Sequence, residues 1–236
     1  MSEYIYGKNA VKEALINNKR IICLYATDSN KDIIDLARRS GINYRVTDMK
    51  VINKMVTGLH QGVVLEVQDY KYSKFEELLV TNYKYPFIVV LDGLEDPHNL
   101  GAILRTCDAS GVDGVIIPKN RSVGLNATVA KVSTGAIEYV KVAEVTNIAQ
   151  TLKILKDKGY WIVGAEATAK SVDFRSMKYD MPTVLVVGSE GKGISRIVRE
   201  SCDFLVQIPM VGHVNSLNAS VSCSILIYEI MKYREV

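Results

Sequence analysis

No apolar run in the 236 residues approaches the ~20 needed to span a membrane as a helix. The start, Met1-Ser2-Glu3-Tyr4, has no apolar secretion segment either, so a cytoplasmic protein with no membrane partner is expected. Four cysteines, Cys23, Cys107, Cys202 and Cys223, lie far apart and form no C-x-x-C pair, which argues against structural zinc and for reduced thiols. With three histidines and no H-E-x-x-H, metal catalysis has little to build on, and no metal is expected. Net charge is only +3, which neither demands nor excludes a polyanionic partner, so the distribution of charge matters more. Lys119 and Arg121 flank a turn, and Lys8, Lys12, Lys19 and Arg20 crowd the amino-terminal segment. There they either meet phosphates or line a solvated helix face.

What is present is ordinary globular material, 48% hydrophobic and 23% charged, enough for one large or two modest domains. Residues 1–70 read as a small α/β module: helix 7–17, strand 21–25, helix 32–39 ending at Gly41, strand 43–46, a short helix 49–55 and strand 62–67. Residues 71–85 are polar and tyrosine-rich, with a possible helical turn from Phe75 to Leu79, and read as a linker closed by Pro86. From 86 to 236 strands near 87–91, 113–117, 139–142, 161–164, 184–187 and 203–208 alternate with helices near 100–110, 126–135, 146–157, 194–201 and 216–233. Such alternation predicts a mainly parallel sheet covered on both faces, with ligands at the carboxyl ends of its strands.

The chemistry concentrates late in the chain. Val184 to Val187 is a continuous aliphatic run that stops at Gly188, as a strand buried on both faces does. Glycines at 188, 191 and 193 let the backbone bend and let a ligand approach main-chain N–H and C=O groups, although a plain strand-to-helix turn reads the same way when taken alone. Lys192 precedes Gly193 where a phosphate-binding Walker loop needs Gly-Lys-Ser/Thr, and no G-x-G-x-x-G can be read here.

Three stretches together carry more. Leu91 to Gly111 (LDGLEDPHNLGAILRTCDASG), Gly188-Ser189-Glu190-Gly191 and Ser216-Leu217-Asn218 resemble the three signature motifs of the SpoU-type branch of RNA 2′-O-ribose methyltransferases, within the trefoil-knot SPOUT superfamily. The likeness runs from about Pro86 to Arg234, with weaker matches at Tyr6 to Val11 and His60 to Val63. The segment Arg121 to Thr128 looks most like the bacterial 23S rRNA guanosine methyltransferases of that branch. The resemblance implies an α/β-knot catalytic domain whose last helix passes through a loop, preceded by a ribosomal-protein-like RNA-binding domain. It also implies S-adenosylmethionine as methyl donor, rRNA as substrate and a homodimer paired through the last helix and the first-motif helix. Alternatives are a tRNA substrate, or a non-catalytic RNA-binding module that keeps the fold.

By the same resemblance the cofactor is held largely by main chain at Gly188, Ile208 and Leu217, with Glu190, Gly191 and Met210 close by, although Ile208 and Leu217 read from sequence as plain core residues. Arg105 is the leading catalytic candidate: six residues beyond Asn99, where the helix is expected to open, it is placed on nearly the same face, within reach of a ribose flanked by phosphates. In the family the matching arginine is treated as a base for the 2′-hydroxyl, assisted by the substrate phosphate. Positioning the nucleotide and stabilising the developing alkoxide asks less of a group with a pKa above ~12. Asn99, Glu190, Ser216 and Asn218 complete the catalytic set, with Asn99 and Ser216 equally suited to be N-caps. His98 is given no role. The last helix, with Ala219, Val221, Ile225, Leu226, Ile227, Tyr228, Ile230 and Met231, is apolar nearly all round and has to be buried.

Overall fold

The computed structural model describes residues 2–17 and 20–234, so Lys19 lies outside the described residues. It contains two compact units, divided after Lys71. The first has the order β1 (Ser2–Tyr6), α1 (Lys8–Asn17), β2 (Ile21–Ala26), α2 (Lys31–Arg39), β3 (Tyr44–Val46), α3 (Met49–Met55) and β4 (Val63–Gln68). Its sheet runs β1-β4-β2-β3, antiparallel at β1/β4 and β4/β2 and parallel at β2/β3. Helix α2 ends as its sequence predicts: Gly41 takes φ +67, its N–H reaches Arg38 O, and Ile42 N–H reaches Ala37 O, which satisfies two carbonyls the helix leaves open. Val11, Leu15, Leu24, Ile33, Val63 and Leu65 form the core, each worth roughly 1.5–3 kcal/mol when fully buried.

Strand β1 was not expected. It is an edge strand in which Tyr4 and Tyr6 are exposed while Ile5 packs against the core, so its apolar signal amounts to a single inward residue. The amino-terminal cations are partly engaged. Lys12 pairs with Asp32 at 2.6 Å, and Arg20 donates to Asp69 O at 3.1 Å and stacks over Tyr70.

The second unit begins with a 3-10 turn, Phe75–Leu79, and continues β5 (Phe87–Asp92), α4 (Pro97–Ser110), β6 (Gly114–Pro118), α5 (Ala127–Val132), β7 (Val142–Val145), α6 (Ile148–Asp157), β8 (Trp161–Ala165), β9 (Val172–Asp173), β10 (Thr183–Gly188), α7 (Arg196–Glu200), β11 (Phe204–Gln207) and α8 (Ala219–Met231). The sheet runs β7-β6-β5-β10-β8-β11-β9 and every neighbouring pair is parallel. β10 is buried at all its positions, as a central parallel strand has to be. Ile88, Val90, Val184 and Val186 pack towards Leu152, Leu155 and Val198 of α6 and α7, while α8 lies against β10 and α4.

Residues 72–85, polar in composition, are anchored on this unit: Leu78 is fully buried in its core, and Tyr72 Oη accepts the Leu125 N–H at 2.9 Å. The strand expected near 139–142 lies at Val142–Val145 instead, because Thr134 (φ 51) and Gly135 (φ 95) end α5 early and a 3-10 turn, Ala136–Glu138, takes up the chain. β9, two residues long, has no sequence signal.

Candidate functional site

The carboxyl ends of β10, β8 and β11 meet in one place because the three strands are neighbours. Beyond β10 the chain folds back at once. Ser189 and Gly193 exchange both backbone hydrogen bonds, at 3.1 and 3.0 Å, and Gly191 sits at φ +80. The return passes so close that a Cβ on Gly188 would lie 2.1 Å from the Gly193 carbonyl carbon, so no side chain fits at 188. Asp92, paired with Gly188 across the sheet, accepts the Ser195 N–H at 2.7 Å and ties down the far end of the loop.

A polar network spans the three motifs. Glu190 Oε1 accepts from Asn99 Nδ2 at 2.9 Å and from Asn218 Nδ2 at 2.7 Å, and Asn218 Nδ2 also reaches Asn99 Oδ1 at 2.9 Å. Residues 91 and 119 positions apart in sequence thus share one carboxylate and one amide. Two expected caps move. Helix α4 opens at Pro97, with Asp96 Oδ1 accepting the His98 N–H at 2.9 Å, so Asn99 lies inside the first turn with its side chain buried in the network. Asp-Pro ahead of an apolar run is the start signal that marks this boundary. The cap of α8 is Asn218, not Ser216: Asn218 Oδ1 accepts from the Ser220 and Val221 N–H groups at 2.9 and 3.4 Å, and Ser216 is exposed two residues earlier.

Arg105 does not join this network. It is exposed and makes no hydrogen bond or ion pair with any described residue. Six residues at ~100° each turn a helix by about 600°, which leaves Arg105 about 120° away from Asn99 and not on nearly the same face. It projects from α4, the helix that packs beside α8 through a Thr106–Ser224 hydroxyl contact of 2.9 Å.

Beside the network is a cavity of about 860 Å³, within the ordinary range for a small-molecule site. Gly188, Glu190, Gly191, Ile208, Met210 and Leu217 all line it, as do Ser216 and Asn218. Gly193, one of the three glycines expected to let a ligand approach, lines it too, whereas sequence reasoning missed Gln207 and Glu166. Glu166 had a usable signal, since it directly follows β8 and so stands at a carboxyl end of a parallel strand. A glycine-walled cradle with apolar sides at Val187 and Leu226 and carboxylates at Glu166 and Glu190 fits S-adenosylmethionine: main chain for the nucleoside, apolar surface for its faces and negative charge for its cationic half. The thiols are not poised to react. Burial pushes Cys202 and Cys223 up to about 12, and Cys107 well above its ordinary value. Among the described residues no group of three His, Cys, Asp or Glu is placed to hold a metal, and no helix is long and apolar enough to cross a membrane.

A parallel sheet whose last three loops form such a cradle defines the α/β-knot class of methyltransferases. Comparison with known proteins narrows the class: residues 86–228 match the SpoU rRNA methylase family model, and residues 4–73 match the substrate-binding domain of RNA 2′-O-ribose methyltransferases. YacO of Bacillus subtilis, assigned to the TrmH family of tRNA/rRNA methyltransferases, is 48% identical over 240 residues, covering 98% of this chain and 96% of its own. The AdoMet-bound rRNA methyltransferase from Sinorhizobium meliloti superposes with a TM-score of 0.67 at 25% identity, over 98% of this chain and 87% of that one. The TrmH/SpoU tRNA modifying enzyme of A. aeolicus gives 0.59 at 35% identity over 66% of this chain and 79% of its own. The chain belongs to the SpoU methylase family and is an S-adenosylmethionine-dependent RNA 2′-O-ribose methyltransferase, with a small α/β RNA-binding domain ahead of a knotted catalytic one.

Proposed function

We propose that the substrate is ribosomal RNA, specifically a guanosine of 23S rRNA, and that the enzyme works in the cytoplasm as a homodimer. The single observation that carries the catalytic part is the Asn99–Glu190–Asn218 network, which joins all three motifs at the mouth of the cavity. S-adenosylmethionine supplies a methyl group on a cationic sulfur, open to in-line attack. Gly188, Gly191, Ile208, Met210 and Leu217 hold it through the cavity wall. Glu190, fixed by two amides, keeps its carboxylate at the cavity and helps to fix the cofactor loop. Asn99 and Asn218 hold that carboxylate in place, and Ser216, exposed at the rim, faces the incoming nucleotide. Arg105 grips the phosphate beside the target ribose and stabilises the alkoxide as it develops.

The dimer reading rests on α8. Val221, Ile225 and Tyr228, at spacings of four and three residues, form a stripe that is 47%, 36% and 54% exposed, while Cys223, Leu226, Ile227 and Ile230 face inwards. A helix that has to bury its whole circumference leaves this stripe for a second copy, and the exposed Arg105 belongs to α4, the helix packed beside α8.

A tRNA substrate is favoured by one observation, the tRNA-modifying A. aeolicus structure at 35% identity. Mass-spectrometric mapping of ribose methylation in total RNA from a deletion strain decides between them: loss of one 2′-O-methylguanosine in 23S rRNA supports the proposal, and loss of a tRNA mark with rRNA unchanged overturns it.

A further inference from the structure

The cavity holds a second carboxylate that none of the three motifs contains. Glu166 follows β8 directly, and its side chain is 15% exposed. Its main chain is fixed on both sides: the N–H donates to Val206 O at 3.0 Å and the carbonyl accepts from Ser171 Oγ. Arg199 Nη1 donates to Oε1 and Oε2 at 3.3 and 3.2 Å. The loop of the second motif closes over it, so that a Cβ on Gly193 would come within 2.8 Å of Glu166 Oε1.

The two carboxylates of the cavity differ in kind. Glu190 is met by two neutral amides and by no cation among the described residues, so its negative charge remains available to a cationic group. Glu166 has its charge balanced by Arg199, one guanidinium nitrogen serving both oxygens at long distance. Most of its roughly four lone-pair sites stay open for donors that carry no charge. Vicinal hydroxyls on a furanose are such donors, and an acidic residue just beyond a parallel strand is a general solution for holding them.

We propose that Glu166 binds the nucleoside half of the cofactor by accepting hydrogen bonds from its ribose hydroxyls, with Arg199 as the positioning residue that holds the carboxylate. The proposal rests on the cavity being the S-adenosylmethionine site. Titration calorimetry of the full chain tests both, using S-adenosylhomocysteine, its 2′,3′-dideoxy analogue and its deaminated analogue against wild type, Glu166→Gln and Glu166→Ala. For wild type, removing the ribose hydroxyls weakens binding on the order of 10-fold to 100-fold, the scale of hydrogen bonds to a charged group. Glu166→Ala loses a comparable factor for S-adenosylhomocysteine yet binds the dideoxy analogue within about threefold of wild type, and Glu166→Gln falls between. A wild type indifferent to the hydroxyls overturns the proposal whatever the variants do. So does an alanine variant that weakens both ligands equally, or a loss that tracks the amino group instead. Wild type that binds none of the three ligands overturns the cavity assignment itself, and the proposal with it.

Discussion

Replacing Arg105 by alanine separates a catalytic from a structural role because of where the side chain sits. It is exposed on the middle of α4 and makes no hydrogen bond or ion pair with a described residue. Its loss leaves no cavity and no orphaned polar group, and alanine is at least as good a helix former, so folding stability should stay within about 0.5 kcal/mol. For a chain of this length that is a melting shift of about 2 °C or less. Arg105 does not line the cavity, so calorimetric affinity for S-adenosylmethionine should be unchanged within about twofold. Methyl transfer to RNA, followed as tritium incorporation in single turnover, should fall at least ~100-fold, the scale of removing one electrostatic stabiliser of a developing oxyanion. Arg105→Lys should recover little, because an ammonium lacks the planar two-pronged grip. Light scattering on each variant shows whether association is retained. Near wild-type turnover, or cofactor affinity falling in parallel with rate, would sink the assignment and move the chemistry to Glu190 and Asn99.

Asn218→Ala removes the α8 cap, worth ~1 kcal/mol, and a hydrogen bond from each of Glu190 and the buried Asn99, for a total of about 2–4 kcal/mol; calorimetry of unfolding showing less than 1 would mean that the network does not support the fold. Asn218→Asp keeps the cap but sets a carboxylate against Glu190, so one carboxyl pKa rises in the fold, and the variant should gain stability relative to wild type as pH falls from 7 to 4. Ile225→Glu puts a charge in the exposed α8 stripe and should raise the dimer dissociation constant more than ~100-fold by sedimentation, whereas an unchanged association state would place the interface elsewhere. The thiols of Cys202 and Cys223 have folded pKa values raised from 9.0 to about 12, so the stability they contribute is complete below pH 9 and is lost as pH rises towards 12. For the fully buried Cys223 the sign is set by desolvation of the thiolate, so melts from pH 8 to 11 should fall less steeply for Cys223→Ala than for wild type.

What could be read in advance follows from how each feature is encoded. Parallel strands announce themselves because burial on both faces demands an unbroken aliphatic run, and β5 and β10 fall within a residue of their expected places. Edge strand β1 offers one apolar inward residue, Ile5, among its described side chains, and β7 moved three residues because a turn with two positive φ angles sits ahead of it. The site divides along a similar line. Gly188, Glu190 and Asn218 could be named from motifs, since a glycine with no room for a Cβ and amides that share a carboxylate depend on residue type at fixed positions. The caps were misplaced by three residues at α4 and by two at α8, because Asp96 and Asn218 compete with nearby polar residues equally able to cap, and only the backbone geometry chooses between them.

Glu166 and Arg105 fail in opposite ways. Glu166 becomes a cavity residue only when strand order brings the ends of β8, β10 and β11 together, and that order, β10 inserted between β5 and β8, is a long-range property that no local window contains. Arg105 is visible in the motif and yet stands apart from the network within one chain, exposed beside an apolar stripe that is itself uncovered. If the stripe and the arginine belong to one surface, a second copy seated on α8 brings a residue of α4 with it, and burial of Val221, Ile225 and Tyr228 and completion of the catalytic set become the same event. The Ile225→Glu protein then has a sharper signature than loss of association: it should still bind S-adenosylmethionine, for which its own chain supplies Gly188, Ile208 and Leu217, while methyl transfer falls with the dimer population as protein is diluted. Full turnover by a monomeric Ile225→Glu protein would show that Arg105 serves its own chain's cavity, and that the stripe is covered for stability alone.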